Sequence, residues 1–138
     1  MTKTRLLMLS LGVLSASAGA QPLAMQEQAG VRWLCGGIGL SEREAFAKLE
    51  SNANLKLVFA AGKEGAYLAD VGVVVSDPAG KKVPLRFTAS GPICLIAAPA
   101  GTYRVEATYH DTKASASTAV GKAAGHPGTV VLRFPGAR

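Results

Sequence analysis

Apolar and polar residues alternate strictly in the segment that follows Gly101. The apolar positions are Tyr103, Val105, Ala107 and Tyr109. The polar positions are Arg104, Glu106, Thr108 and His110. Because successive side chains of a β-strand point to opposite faces of a sheet, this period of two predicts a strand that is buried on one side and wet on the other.

The preceding apolar run, residues 93–97, has a different pattern. Ile93 and Leu95 would lie on one face of a strand, while Cys94 and Ile96 would lie on the other. Since both faces are apolar, such a strand needs a cover on both sides. We expect an opposing sheet to provide one cover and a separate element to provide the other.

Turn-forming residues divide much of the remaining chain into short strands. Asp77-Pro78-Ala79-Gly80 is a strong turn signal, with proline where a type I turn favours it. Seven strands are predicted in this way, at residues 55–61, 66–76, 82–89, 93–97, 102–110, 113–120 and 129–134. Their number and spacing predict a mainly β fold, an antiparallel Ig-like β-sandwich that follows one short N-terminal helix.

The helix is predicted directly after the glycine-rich segment 36–39. Ser41 is a favourable N-cap residue, Glu44 stands where a capping box needs it, and Glu42 suits the positive end of a helix. Phe46 would lie on its apolar stripe. Glycines before a helix can bind an anion, but this segment lacks a complete glycine motif, so we interpret it as a tight connector.

Residues 1–20 have the organisation of a secretory signal peptide. Basic Lys3 and Arg5 precede a short apolar core, and Ala18-Gly19-Ala20 fits a cleavage site. We therefore expect an exported protein, periplasmic or secreted, with no transmembrane segment after removal of the signal peptide. The rest of the chain is predicted to comprise a flexible tail (21–30), a disulfide-tethered segment with the helix (31–54) and the β-sandwich (55–138), with 31–138 as a single domain.

The charge of the chain limits the kinds of partner. The formal net charge is +6, and removal of the signal peptide with Lys3 and Arg5 leaves +4. Lys81-Lys82 is the one adjacent pair of basic residues, and no aromatic residues are interleaved with it. A nucleic acid is therefore not expected as a partner.

Cys35 and Cys94 are the only cysteines, and both lie in the part of the chain expected to be exported. An even number of cysteines in an oxidising compartment predicts a disulfide bond. A reactive or metal-binding thiol pair is the alternative, but the C-x-x-C spacing that favours it is absent. The bond would close a loop of about 60 residues, worth ~4 kcal/mol in the chain-entropy model. It would hold the Trp33 segment and the helix over the second apolar face of residues 93–97.

The sequence carries no recognisable catalytic or metal-binding arrangement. The two histidines, His110 and His126, stand alone at turns. No serine lies in a G-x-S-x-G motif, and no pair of carboxylates stands out. We expect no catalytic residue, no cofactor and no bound metal, and hence a protein that is not an enzyme.

Two surfaces are candidates for contact with a partner. The first is the edge strand 113–120, which could accept an added strand and which carries Lys113, Ser115 and Ser117. The second is an aromatic platform for a sugar, formed by Trp33 and Tyr67. Two aromatic residues so far apart in sequence are more often core residues, and that interpretation stays open beside the platform.

Two stretches of the chain resemble a known family. GAYLADVGVVVSDPAGK (residues 65–81) and SGPICLIAAPAGTYRVEATY (residues 90–109) are similar to the carboxypeptidase regulatory-like domain, a transthyretin-like β-sandwich. Gly101 and Tyr103 match recognisable positions of its P-x-G-x-Y-x-V element. The resemblance covers residues 66–120, and the whole chain looks like small exported proteobacterial proteins of unassigned function.

The resemblance implies an accessory domain, because this domain carries no catalytic residues where it accompanies metallocarboxypeptidases. We therefore predict an exported, non-enzymatic β-sandwich that interacts with a protein or another component of the cell envelope. A carbohydrate-binding or accessory module of the envelope is the alternative.

Overall fold

A computed structural model describes residues 12, 25–63, 65–82, 85–121 and 127–135. Apart from Gly12, the predicted signal peptide lies outside the described residues, as does His126. One α-helix, α1 (Leu40–Leu49), is followed by a 3₁₀ turn at Glu50–Asn52. The strands are β1 (Gln26–Gln28), β2 (Val31–Gly36), β3 (Leu55–Ala61), β4 (Ala66–Tyr67), β5 (Val71–Ser76), β6 (Leu85–Ala89), β7 (Ile93–Ala97), β8 (Gly101–Tyr109), β9 (Thr112–Val120) and β10 (Gly128–Phe134).

The strands form two sheets, so the prediction of a mainly β protein with one short helix is confirmed. The first sheet has the order β1-β2-β7-β3-β10, with β4 paired to the end of β3. The second sheet has the order β6-β5-β8-β9, and all its pairs are antiparallel. The inner faces of both sheets contribute to one hydrophobic core, whose largest side chains include Phe59, Leu57, Leu85, Val105 and Phe134.

The strand pattern differs from the prediction in three respects. Residues 66–76 form two strands, because Asp70 adopts a positive φ of 59° and turns the chain between β4 and β5. Residues 26–28 and 31–36 form β1 and β2, and β1 lies within the segment 21–30 that we expected to be a tail. The purely antiparallel arrangement is wrong, since β10 runs parallel to β3 along its whole length.

The outer face of the first sheet is apolar where β2 and β7 lie, and α1 covers it. Phe46 of the helix is 2% exposed and packs in a second cluster with Leu34, Ala53 and Leu95. The expectation that a separate element covers the second face of residues 93–97 is therefore confirmed. The Trp33 segment is not part of that cover, because it is β2 itself and pairs edge to edge with β7.

The disulfide between Cys35 and Cys94 is present, as predicted. The two residues are direct partners in the β2–β7 ladder, and Cys94 is fully buried in the shared core. The bond therefore lies on the inner face of the first sheet, while α1 covers the outer face. It joins the N-terminal strands to the rest of the chain across a sequence separation of 59 residues.

The N-terminus of α1 is not capped by Ser41, contrary to the capping box predicted from Ser41 and Glu44. The helix begins at Leu40 with Gly39 as its N-cap residue, and no side chain bonds there as a cap. Glu42 instead reaches back to the connector, where its Oε1 accepts a hydrogen bond from the Gly37 amide at 2.7 Å. That amide already has a carboxylate partner, which agrees with the connector interpretation of segment 36–39.

Two glycines allow α1 and a neighbouring turn to approach β2. A Cβ atom at Gly36 would overlap the carboxylate of Glu42 and the ring of Phe46. A Cβ atom at Gly91 would overlap the backbone of Gly36. Because glycine has no side chain, Gly36 and Gly91 allow α1, β2 and the turn before β7 to approach one another this closely.

Candidate interaction face

The outer face of the second sheet is uncovered in the described structure and carries polar side chains from all four strands. We call it the cationic face. It consists of Gly72, Val74, Ser76, Arg86, Thr88, Arg104, Glu106, Thr108, Lys113, Ser115 and Ser117. Lys113, Ser115 and Ser117 are exposed, whereas Ala114 and Ala116 between them face inward and are only partly exposed.

The ladder registers arrange this face in rows across the sheet. One row consists of Thr88, Gly72, Thr108 and Lys113. The next consists of Arg86, Val74, Glu106 and Ser115. A third contains Ser76, Arg104 and Ser117. Side chains in one row lie about 5 Å apart from strand to strand, so residues of β5 and β8 have neighbours on both sides in a row, whereas those of the edge strands β6 and β9 have a neighbour on one side only.

A depression of about 370 Å³ lies over these rows. Its lining includes Arg86, Arg104, Glu106, Thr108 and Lys113, so three cations and one carboxylate surround it. Arg104 and Glu106 form an ion pair at 3.0 Å, with their side chains 46% and 45% exposed. Within the described ranges, Arg86 and Lys113 are in no ion pair. The depression therefore has a positive charge that its own carboxylate does not neutralise.

The sequence produces this face through alternation in two neighbouring strands. β8 and β9 form a hairpin that turns at His110 and Asp111, with His110 at a positive φ of 52°. The register of the hairpin places Arg104 beside Ser117 and Thr108 beside Lys113. β9 is an edge strand, as predicted, and β10 of the other sheet lies close to it.

The structure brings three of the five predicted surface residues together, because Lys113, Ser115 and Ser117 follow one another along β9. Arg86, Arg104 and Glu106 were not singled out from the sequence. The signal for Arg104 and Glu106 is present in the alternation of β8, but their proximity to Lys113 requires the hairpin register. Nothing local to Arg86 indicates that β6 lies two strands away from β8 in the same sheet.

Trp33 is not part of the cationic face. It lies on the inner face of the first sheet, at the margin of the core between the two sheets. Its ring stacks on that of Phe87 with a centroid separation of 5.5 Å and an angle of 22° between the planes. Both rings are partly buried and pack against the shared core. Trp33 therefore has the position of an aromatic residue at the margin of the core, next to β6.

Tyr67 lies on the outer face of the first sheet, whereas Trp33 lies on its inner face. Its register partner is Ala60, which alternates with the inward-facing Phe59 and Ala61, so Tyr67 shares the outer face with Ala60. The ring is 56% exposed, and the guanidinium of Arg43 lies over it at 5.4 Å. Because Trp33 points inward and Tyr67 outward, the two rings do not form one platform.

A shallow depression of about 300 Å³ lies beside Tyr67. It is lined by Ile38, Arg43, Pro92 and residues of the adjoining turns. Ile38 is 61% exposed, and the nearby Leu40 is 73% exposed. This surface therefore combines aliphatic side chains, one aromatic ring and one cation.

A further depression of about 560 Å³ lies at the end of β10 and is lined by Gly62, Lys63, Arg133 and Pro135. In the part of the chain that the structure describes, no three His, Cys, Asp or Glu side chains are grouped closely enough to hold a metal ion. Among those residues, no helix is long and apolar enough to cross a membrane.

Tyr103 is the residue of the resemblance motif whose environment the structure defines best. Its ring packs against the shared core, and its hydroxyl donates a hydrogen bond to the carbonyl oxygen of Pro99. Partial burial raises the pKa of the Tyr103 hydroxyl above its ordinary value of 10.0. The hydrogen bond of Tyr103 therefore stabilises the turn before β8, and the side chain does not belong to the cationic face.

Comparison of the chain with protein-family models and with curated proteins finds no match.

Proposed function

We propose that this protein is an exported, non-enzymatic β-sandwich domain that binds a protein or another component of the cell envelope through the cationic face. The observation that carries the proposal is the depression lined by Arg86, Arg104, Glu106 and Lys113 on an uncovered sheet. Arg104 and Glu106 lie on β8, which is paired on both sides and holds their side chains in fixed positions, and this favours recognition by an extended surface.

Export is supported by two independent features. The N-terminal sequence has the organisation of a signal peptide, with Lys3 and Arg5 before a short apolar core. The Cys35–Cys94 disulfide fits an oxidising compartment such as the periplasm or the extracellular space.

The class of the fold is also part of the proposal. Two sheets whose inner faces share one core fit a β-sandwich of the Ig-like or transthyretin-like kind. The packing of Tyr103 against the core supports the resemblance to the carboxypeptidase regulatory-like domain as part of this proposal. The resemblance in turn supports a role as an accessory domain without catalytic residues.

Sedimentation with purified envelope fragments tests the proposed function. Oxidised protein beginning at Gln21 is mixed with the fragments, and the bound fraction is compared for the unaltered chain, Lys113→Glu and Lys48→Glu. Both variants change the net charge equally, but Lys48 lies on α1, away from the cationic face. We expect Lys113→Glu to weaken retention roughly five-fold, as expected for one exposed charge pair, and Lys48→Glu to leave it unchanged. Equal retention of all three proteins would refute binding through this face.

A carbohydrate-binding module is the second candidate, and the exposed ring of Tyr67 supports it. A sugar ring can stack on an exposed aromatic face, and the depression beside Tyr67 offers space for it. A glycan array with the unaltered chain and Tyr67→Ala tests this function. Binding that disappears with Tyr67→Ala would support it, whereas an array without signal, or with a signal that Tyr67→Ala leaves intact, would refute it.

A further inference from the structure

We infer that the ligand of the cationic face is a carboxylated polysaccharide, which lies across the four strands of the second sheet. This inference rests on the proposed function and specifies the chemistry of the envelope component.

The two unpaired cations stand far apart on the same face. Arg86 is on β6 and Lys113 is on β9, three strands away and one row further along. Standard spacings within a sheet put their Cα atoms about 16 Å apart. An extended polymer with repeated negative charges can follow this diagonal across the sheet and contact both cations.

Three hydroxyl side chains lie in the two rows that contain these cations. Thr108 lies between the cations, next to Lys113, whereas Thr88 and Ser115 lie at the two other corners of these rows. Each hydroxyl can donate one hydrogen bond and accept others, which matches the hydroxyl groups of a sugar chain. The guanidinium group of Arg86 can bind a carboxylate through two parallel hydrogen bonds.

Other polymers fit the face less well. The described residues of the cationic face include no aromatic side chain on which the bases of a nucleic acid could stack. The backbone groups of β5 and β8 are paired on both sides, so a peptide could add as a strand only beside the face, at the edge of β6 or β9, and not across the four strands. A neutral sugar chain would leave the charges of Arg86 and Lys113 without partners.

Glu106 makes the inference sharper, because it is the one carboxylate in the lining of the depression. It is paired with Arg104 and lies in the same row as Arg86, separated from it by Val74. An anionic ligand that spans Arg86 and Lys113 passes close to Glu106 and is repelled by it. Removal of this charge should strengthen binding, whereas removal of either cation should weaken it.

The experiment measures the affinity of the oxidised protein for polygalacturonate at low salt, with dextran as the neutral probe. Arg86→Gln and Lys113→Gln should each weaken binding roughly five-fold, and Glu106→Gln should strengthen it roughly two- to five-fold. Lys48→Gln is the matched control and should have no effect. Thermal unfolding of each variant establishes that it is folded. High salt should weaken binding by the unaltered chain.

Three outcomes would overturn the inference. The first is equal binding of polygalacturonate and dextran. The second is tighter binding of single-stranded DNA or polyglutamate than of polygalacturonate. The third is an affinity for polygalacturonate that does not change in Arg86→Gln, Lys113→Gln and Glu106→Gln. If envelope fragments still retain the protein in a Lys113-dependent manner while polygalacturonate does not bind, the inference is wrong and the proposed function stands. If fragment retention is also independent of Lys113, the proposed function is wrong as well.

Discussion

The two sheets share a core, but α1 covers the outer face of the first sheet where β2 and β7 lie, whereas the outer face of the second sheet is exposed. On the first sheet, Leu34 and Leu95 point outward and are covered by Phe46 of α1, so both sides of β7 are buried. On the second sheet, the side chains that point outward include Arg104, Glu106 and Lys113, and they remain exposed to solvent. Side chains inside a packed region are fixed by their neighbours, whereas those on an open sheet face are free to contact a ligand.

This difference predicts that stability depends mainly on the first sheet and the proposed binding mainly on the second. The first sheet carries the helix and the disulfide, and changes there should affect the free energy of unfolding. The second sheet carries the cationic face, where changes should affect binding with little effect on stability, because exposed substitutions usually change it by less than about 0.5 kcal/mol. The following substitutions test this division, beginning with the largest expected effect.

Phe46→Ala should be the most destabilising substitution. The ring is 2% exposed and is the one buried side chain of α1, so its loss leaves the helix without its anchor on Leu34 and Leu95. We expect a loss of about 3–5 kcal/mol in chemical denaturation. Val74→Ala, on the open face of the second sheet, is the control and should cost far less. Similar losses for the two variants would contradict the division between the sheets.

Replacement of Cys35 and Cys94 together by alanine should lower the free energy of unfolding by about 2–4 kcal/mol. The bond constrains a sequence separation of 59 residues in the unfolded chain, and that constraint disappears in the variant. At about 4–8 °C for each kcal/mol in a domain of this size, the melting temperature should fall by at least ~8 °C. An unchanged melting temperature, measured against the oxidised parent, would refute a stabilising role of the disulfide.

Gly91→Ala should cost about 1–3 kcal/mol, because its Cβ atom would overlap the backbone of Gly36 and force the strand and turn apart. Gly72→Ala is the matched control on the second sheet. A Cβ atom there would meet its nearest neighbour, the carbonyl oxygen of Thr108, at 3.8 Å, an ordinary contact distance. Calorimetry of both variants should therefore show a loss only for Gly91→Ala. An unchanged stability of Gly91→Ala would mean that the turn at Gly91 and the backbone of Gly36 are not in such close contact.

Tyr103→Phe should have the smallest effect, about 1 kcal/mol, through loss of the hydrogen bond to Pro99. It should also change the response to alkaline pH. Because the pKa of Tyr103 is raised in the folded state, its hydroxyl favours folding at all pH values below about 10 and favours it less as the pH rises further. Denaturation from pH 8 to about 11 should show a smaller decline for Tyr103→Phe than for Tyr67→Phe. Identical profiles would contradict this role of Tyr103.

Local patterns predicted much of the second sheet. The alternation from Tyr103 to Tyr109 defines β8, and the turn at residues 77–80 separates β5 from the segment that leads to β6. Both features depend on residues that are close in sequence, where side-chain period and turn chemistry decide the structure. The same holds for Lys113, Ser115 and Ser117, which alternate along one strand.

Features that join distant segments were not predictable in this way. The parallel pairing of β3 with β10 depends on where the second sheet and α1 lie, and no local pattern encodes it. The opposite orientations of Trp33 and Tyr67 follow from strand registers, and a shift of one residue would reverse either side chain. The N-terminus of α1 was misplaced because Glu42 bonds to Gly37, a contact that competes with the capping box of Ser41 and Glu44.

The parallel pairing of β10 with β3 also bears on how the chain acquires its structure as it emerges during synthesis. β3 must wait for a partner strand that arrives about 70 residues later, so a long loop has to close before the first sheet is complete. Until then the backbone groups along one edge of β3 are open to contact with other chains. The hairpin of β8 and β9 has no such delay, because its strands follow one another directly. The chain is therefore most prone to aggregation until β10 has paired with β3.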